Sequence, residues 1–455
     1  VADFPTGGKD MKKRYSVILF LIVLMMLPAM PIIAQEERVL QVWTHDYQPL
    51  ADAITSKWGP EFEALNPGVK VEYTSIPFAG AVDYDTKLLA DLSSGAGPDV
   101  WVMGSWDYLE NGFIESGLVA PLDPTIFGYD SVDDLVADYP PNSMNAFVRD
   151  GKVYGLFNEL TTLALFYNKN MFDAAGIEYL PEDKPVSWAH IGEISQQLRK
   201  TDPGTGELTQ IGYQFGFFAT FRSPQWYAQD YYIFLRQYGQ DDLFIDGEPA
   251  ANTEAAIKAF QMIYDFTYTY QAYDPTFLQN WFADFPNNRV AMVAAGPWFV
   301  AAARGTDPNL NFGVAPVPVI DPADPATFHN IVYNWGWSVN ANKSSEQQQL
   351  AQEFLAYLLG KKGEAEQPVY WFENMGLAQP RSAFLQSDGY KAALASEPWM
   401  ATFDRSYQMF DTQYVQHSYD LAGAALIRAI DRVIYDGMSA EETAKLLQRE
   451  LQRLQ

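Results

Sequence analysis

At 455 residues the chain is too long for one simple core, and two or three domains are expected. A net charge of −27 sets it against phosphate backbones and anionic membranes, which argues against nucleic-acid binding, while the absence of cysteine excludes disulfides, thiolate metal sites, a Cys nucleophile and lipid attachment at a cysteine. Aromatic residues make up 15% of the chain, more than core filling alone asks for, and Tyr and Trp favour places where an apolar face meets a wet edge.

The first 34 residues read as a targeting segment. Lys12-Lys13-Arg14 precede an apolar run from Tyr15 to Met26, and Leu27 to Ala34 supplies the small residues of a cleavage zone, with the cut expected after Ala34 and Met11 as the start. Retention as an uncleaved anchor is the alternative reading. Val39–Trp43 then alternates as a strand, Leu50–Leu65 has helical spacing that Pro60 bends or divides, and Asn66-Pro67-Gly68 stops it before a second strand, Val69–Tyr73. A helix over Tyr84–Leu92, a third strand over Val100–Met103 and a helix over Trp106–Ser116 continue the alternation. A parallel sheet with helices on its faces is the expected result.

Asp150-Gly151 marks a hairpin turn, and Leu163–Tyr167 is a further strand. Ser187 caps a helix over Trp188–Leu198. The Thr201–Gly206 run is a solvent-facing turn, not a phosphate cradle, because no strand-to-helix context surrounds its Gly-x-Gly. Aromatic-rich and amphipathic helices follow over 225–238 and Thr253–Tyr270. Val290–Val293 reads as a buried strand that Gly296-Pro297 ends abruptly, releasing Trp298 at its carboxyl end, where open α/β sheets bind ligands. Phe312–Pro316 is extended, Asn330–Asn340 is a strand interrupted at Gly336, and helices cover Gln348–Leu359, Tyr419–Tyr435 and the terminus, the last opened by a Ser439/Glu442 capping box.

The four His residues lack metal-site spacing, and the acidic runs lack the calcium-loop alternation, so no metal or cofactor is expected. No nucleophile elbow or phosphate loop appears. Asp46, Asp107 and Glu159 lie at predicted strand ends, where a pair of carboxylates could serve a glycosidase, although so many acids make chance adjacency common. Trp43, Trp106, Trp226, Trp298, Trp335 and Trp371 lie at or beyond predicted strand ends or in Gly-broken segments. Any one of them could be core, but the set favours a ligand cleft. Sugar rings present C–H faces to indole and phenol, and Asp46, Asp107, Asn158, Glu159, Asn334 and Arg381 could serve their hydroxyls.

In this order, Val39–Trp43, Asn66–Val71, Gly97–Val100 with Gly117–Leu122, Asp150–Gly155, Leu165–Lys169, Pro185–Trp188, Arg289–Met292 with Gly296–Trp298, Gly336–Val339 and Gly376–Pro380 resemble the extracytoplasmic solute-binding proteins of ABC transporters, in the sugar-binding group. The resemblance implies the two-lobed periplasmic-binding-protein fold (type II, α/β), with lobes of 36–158 plus 336–366 and 159–335 plus 367–455 that close by hinge bending over a carbohydrate. It implies that Trp298 stacks on a sugar ring, that Asp107 bonds sugar hydroxyls, that Glu159 lies near a cleft acid and that Tyr419 replaces a late aromatic. A monomeric, exported receptor follows, handing a mono- or oligosaccharide to a membrane permease. The alternatives are a receptor for a polyol, glycerol phosphate or polyamine, or a secreted glycoside hydrolase.

Overall fold

The computed structural model describes residues 1–3, 38–77, 84–105, 108, 112–140, 143–217, 224–415 and 421–455. Residues 4–34 of the expected targeting segment, together with Trp106, Asp107 and Tyr419, lie outside these residues.

Two sheets organise the chain from Val39 onward. The strands, in chain order, are β1 (Arg38–His45), β2 (Val69–Ile76), β3 (Val100–Gly104), β4 (Leu156–Phe157), β5 (Thr161–Thr162), β6 (Ala164–Asn168), β7 (Leu208–Gln214), β8 (Val290–Ala295), β9 (Phe312–Pro316), β10 (His329–Tyr333), β11 (Trp335–Val339) and β12 (Asp411–Tyr414). The first sheet runs β2-β1-β3-β11-β4, with β1 parallel to β3 and β11 antiparallel to both β3 and β4. The second runs β9-β6-β8-β7 and ends on Lys200–Thr201, with β8 parallel to β7 and antiparallel to β6. A small third sheet, β12-β10-β5, lies where the chain passes from one to the other.

Each sheet carries its own apolar core. Leu40, Val42, Trp101, Phe147, Trp337 and Phe354 belong to the first, and Phe166, Trp188, Tyr213, Phe234, Met292 and Ile430 to the second. Strand β8 is buried at all six positions, as an uninterrupted apolar run covered on both faces must be. This is the two-lobed α/β fold of periplasmic binding proteins.

Local chemistry explains most element ends. Ser187 Oγ accepts from the His190 N–H at the start of Trp188–Leu198, and Ser439 does the same for Glu442 before Ala440–Gln452. Asp150 and Gly151 both have positive φ between the paired segments Val148–Arg149 and Lys152–Val153, the geometry of a tight hairpin turn. The Leu50–Leu65 pattern becomes Gln48–Ala53, one wide π turn over Ile54–Trp58, and Gly59–Leu65. The disturbance sits just before Pro60, which has no N–H to give to the preceding turn.

Three expectations shift. The break in 330–340 falls at Asn334 rather than Gly336, because β10 and β11 belong to different sheets. Gly336 instead sits inside β11, where a Cβ would come within 2.1 Å of the Phe147 ring. Residues 113–117 are turn, so a helix reaching Ser116 is not present. The first core also extends past 366: Trp371, Met375 and Leu377 pack into it, while Phe372 on the other face of the same helix joins Phe384 and Tyr390 in a third cluster.

Candidate functional site

The strand ends of both sheets meet at one cavity of about 340 Å³. From the first sheet come His45 at the end of β1, Asp46 and Tyr47 just beyond it, and Trp335 and Trp337 on β11. From the second come Trp298 beyond β8 and Trp226 on the helix Pro224–Gln237. Asn158, Glu159 and Thr161 line it from the crossing segment, with Tyr333 at the end of β10.

Trp298 is set by its neighbours. The indole Nε1–H donates to the Tyr333 hydroxyl at 2.6 Å, and its ring lies 5.8 Å from Trp226 and 6.0 Å from Phe282. It is half-buried and packs against both cores, as does Trp335. Trp335 carries the His45 imidazole stacked at 4.0 Å, and burial pushes that imidazole down to about 3, so it is neutral. Gly296 makes the indole's position possible, since a Cβ there would lie 2.4 Å from Trp298 Nε1. Trp226 sits close over Gly216, where a Cβ would lie 3.0 Å from Trp226 Cβ, and Asp230, one turn along the same helix, accepts the Gly216 N–H at 2.6 Å. Burial raises that carboxyl to about 7 against the pull of the same N–H.

One bond joins the segment after β1 to the segment after β8. The Tyr47 hydroxyl donates to Trp298 O at 3.2 Å. Tyr47→Phe should therefore weaken the hold between these two segments while leaving the cavity's rings in place. Loss of one such bond costs about 1 kcal/mol, which corresponds to a ligand off-rate raised roughly fivefold in stopped-flow measurements.

Polar atoms without partners converge on the same space. Among the described residues, Asn158 Nδ2, Glu159 Oε2, Thr161 Oγ1, Gln225 Oε1 and Trp337 Nε1 are buried, lack a hydrogen-bond partner and belong to residues that line the cavity. Buried orphans of this kind are rare in folded proteins, and five around one cavity point to a ligand with several hydroxyl groups. Donors and acceptors are both present, as hydroxyls require.

The residues singled out from the sequence divide clearly. Asp46, Glu159, Trp226, Trp298, Trp335 and Trp371 are brought together around the cavity, Trp371 as a fully buried wall whose indole N–H donates to Leu358 O. Arg381 is not with them. It is buried and donates to Tyr129 Oη, Leu359 O and Gly360 O, so its guanidinium serves the carbonyls at the end of the helix Ser345–Leu359. Asn334 is likewise structural, its amide donating to the Tyr414 hydroxyl at 2.8 Å. His45, Tyr47, Thr161, Gln225, Phe282, Tyr333 and Trp337 were not foreseen as site residues. Trp337 had a usable signal, because a two-residue period puts it on the same face of β11 as Trp335.

A ligand-sized cleft between two α/β lobes, walled by indoles and unpaired polar groups, defines a binding protein for a small solute. The chain belongs to the bacterial extracellular solute-binding protein family, whose profile matches residues 47–365. A protein of Brucella abortus whose name says only that it binds is 28% identical over 263 residues, 56% of this chain and 57% of that one. The galactooligosaccharide-binding protein of Bacillus subtilis is 25% identical over 305 residues, 65% of this chain and 63% of that one. These matches span less than two thirds of either relative's length. Among solved structures, an ABC transporter solute-binding protein from Thermotoga lettingae bound with α-D-tagatose superposes with a TM-score of 0.73 at 19% identity, covering 92% of this chain and 99% of that one. The family is one of extracellular solute-binding proteins, and membership in it speaks against the glycoside hydrolase alternative.

Proposed function

We propose that the protein captures a carbohydrate in this cleft and delivers it to the permease of an ABC transporter. The observation that carries the reading is the pairing of four rings, Trp226, Trp298, Trp335 and Phe282, with five unpartnered polar atoms around one cavity. Rings offer faces for the sugar's C–H patches, and the amide, hydroxyl, carboxyl and indole groups serve its hydroxyls. No Lys or Arg is among the described residues lining the cavity, so a phosphate-bearing ligand would have no counter-charge there. A volume of about 340 Å³ lies at the small end of ligand pockets and favours one or two sugar rings over a long oligosaccharide.

In this reading the sugar binds one lobe and the chain bends at its crossings, around residues 158–161 and Asn334, until the other lobe covers it. Closure is favoured because the sugar binds the closed form better, and the closed form is the one presented to the permease. The lobe limits would be 36–158 with 336–366, and 159–335 with 367–455, amended by the first lobe's hold on Trp371 to Leu377. Export through the N-terminal segment and a monomeric state belong to the same proposal.

The test is a titration of intrinsic tryptophan fluorescence with D-glucose, D-tagatose, maltose and mannobiose, alongside glycerol 3-phosphate and spermidine. Saturable quenching or enhancement by a saccharide alone is expected. A response confined to the phosphate or the polyamine would defeat the carbohydrate reading.

A further inference from the structure

Glu159 is the one acid in the crossing segment that faces the cavity, and its two oxygens have different surroundings. Oε1 accepts the Trp335 N–H at 3.1 Å, holding the crossing at 158–161 to the crossing at Asn334. Oε2 is buried with no partner among the described residues, and the side chain is 2% exposed. We propose that Glu159 meets the ligand as a hydrogen-bond donor, a neutral carboxyl group presenting Oε2–H to the cavity, and not as a carboxylate acceptor. The inference rests on the carbohydrate reading for the nature of the ligand, but not for the state of the carboxyl.

Among the described residues, no Lys or Arg lines the cavity to balance a negative charge on Glu159. The titratable groups facing Glu159 are the phenols of Tyr47, Tyr333, Tyr407 and Tyr414, with His45 and Asp46 in the same cavity wall. Three of the phenols donate elsewhere: Tyr47 to Trp298 O, Tyr407 to Leu160 O and Tyr414 to Ser143 O. His45 is neutral, and Asp46 is an acid. A buried carboxylate needs a cation or two to three N–H donors to remain ionised, and the N–H donor found for Glu159 among the described residues is the Trp335 backbone. Burial accordingly raises the Glu159 carboxyl well above the ordinary range, against the pull of the Trp335 N–H. An acid kept neutral by its site can donate where a carboxylate cannot.

This has a consequence for recognition. A carboxylate can only accept, so it would choose a sugar hydroxyl. A carboxylic acid can give its hydrogen to a ring or glycosidic oxygen, which has none of its own to offer. Glu159 would then read the ether oxygen of a sugar, with Asn158 Nδ2 and Thr161 Oγ1 beside it in the same crossing segment.

Glu159→Gln decides the matter, because an amide keeps both the acceptor for Trp335 and a donor toward the cavity. The variant should fold and bind each panel saccharide within about threefold of the wild type at pH 6. Wild-type affinity should decline as the pH is raised through the ionisation of Glu159, and more steeply than the variant's, which keeps only the titration of groups such as Asp230. Without any ligand, the raised carboxyl means that the folded state holds its proton where the unfolded state has released it. Wild-type stability should therefore fall relative to the variant as the pH climbs above about 4.5, until the folded carboxyl also ionises. A tenfold or greater loss of binding in the variant, with wild-type affinity level or rising with pH, would overturn the proposal. So would a variant that fails to fold, since a neutral acid and its amide are near isosteres. If no saccharide binds the wild type, the carbohydrate reading falls, and the ligand-free comparison of melting temperatures against pH still decides the state of Glu159.

Discussion

Trp298→Ala is expected to weaken saccharide binding about thirtyfold or more while the protein remains folded. The indole touches both cores, and it meets Trp226, Phe282 and Tyr333 at once. A large ring at the centre of a desolvated site typically contributes about 2 kcal/mol or more to binding, and each 1.4 kcal/mol is tenfold. Stability should fall much less than for a core Trp, because this side chain is only half-buried. Trp298→Phe separates the contributions: it keeps a stacking face but loses the N–H donated to Tyr333, so an intermediate affinity is expected. Calorimetric titration with the tightest-binding saccharide, checked by circular dichroism, measures both. Unchanged affinity in the alanine variant would remove Trp298 from the site.

The fold was legible because its signals are local and repeat. Val39–Trp43, Val69–Tyr73, Val100–Met103 and Val290–Val293 each appear as strands within a residue or three of the expected ends, and Trp188–Leu198 keeps both its bounds and its Ser187 cap. The site was legible where a large ring follows a strand end, as for Trp298, or heads a strand, as for Trp335. It was illegible where the role depends on which neighbour a polar group finds. Arg381 has the chemistry of a hydroxyl partner, yet the end of the helix Ser345–Leu359 offers it the Leu359 and Gly360 carbonyls, which the helix itself leaves unbonded. Gln225 and Thr161 look like ordinary polar residues in sequence. Their lack of partners emerges only when the two lobes bring them to one cavity. Gly336 carried a real signal that was assigned the wrong cause: the glycine answers to Phe147 across the sheet and does not break the strand.

The sharpest test of how the cavity is built is a substitution that never touches the ligand. Gly296→Ala places a Cβ 2.4 Å from Trp298 Nε1 and 2.7 Å from Thr161 Cγ2, distances at which something must move. Thr161 lies in β5, paired to β10, so the indole is the freer of the two and should swing away from Tyr333. Overpacking of this kind costs about 1–3 kcal/mol of stability. The loss in affinity should be tenfold or more, approaching that of Trp298→Ala, because the ring no longer presents the same face. Gly305→Ala in the adjoining helix Phe299–Thr306 is the matched control. A Cβ there meets nothing within 4 Å, and alanine's better helix propensity should leave stability equal or raise it by up to about 1 kcal/mol. If Gly296 acts by aiming Trp298, the two substitutions share one mechanism. Adding Gly296→Ala to Trp298→Ala should then change affinity little beyond the tryptophan variant alone. Additive losses in that double-mutant cycle would mean that Gly296 shapes the cavity by another route, through Thr161 and the crossing segment.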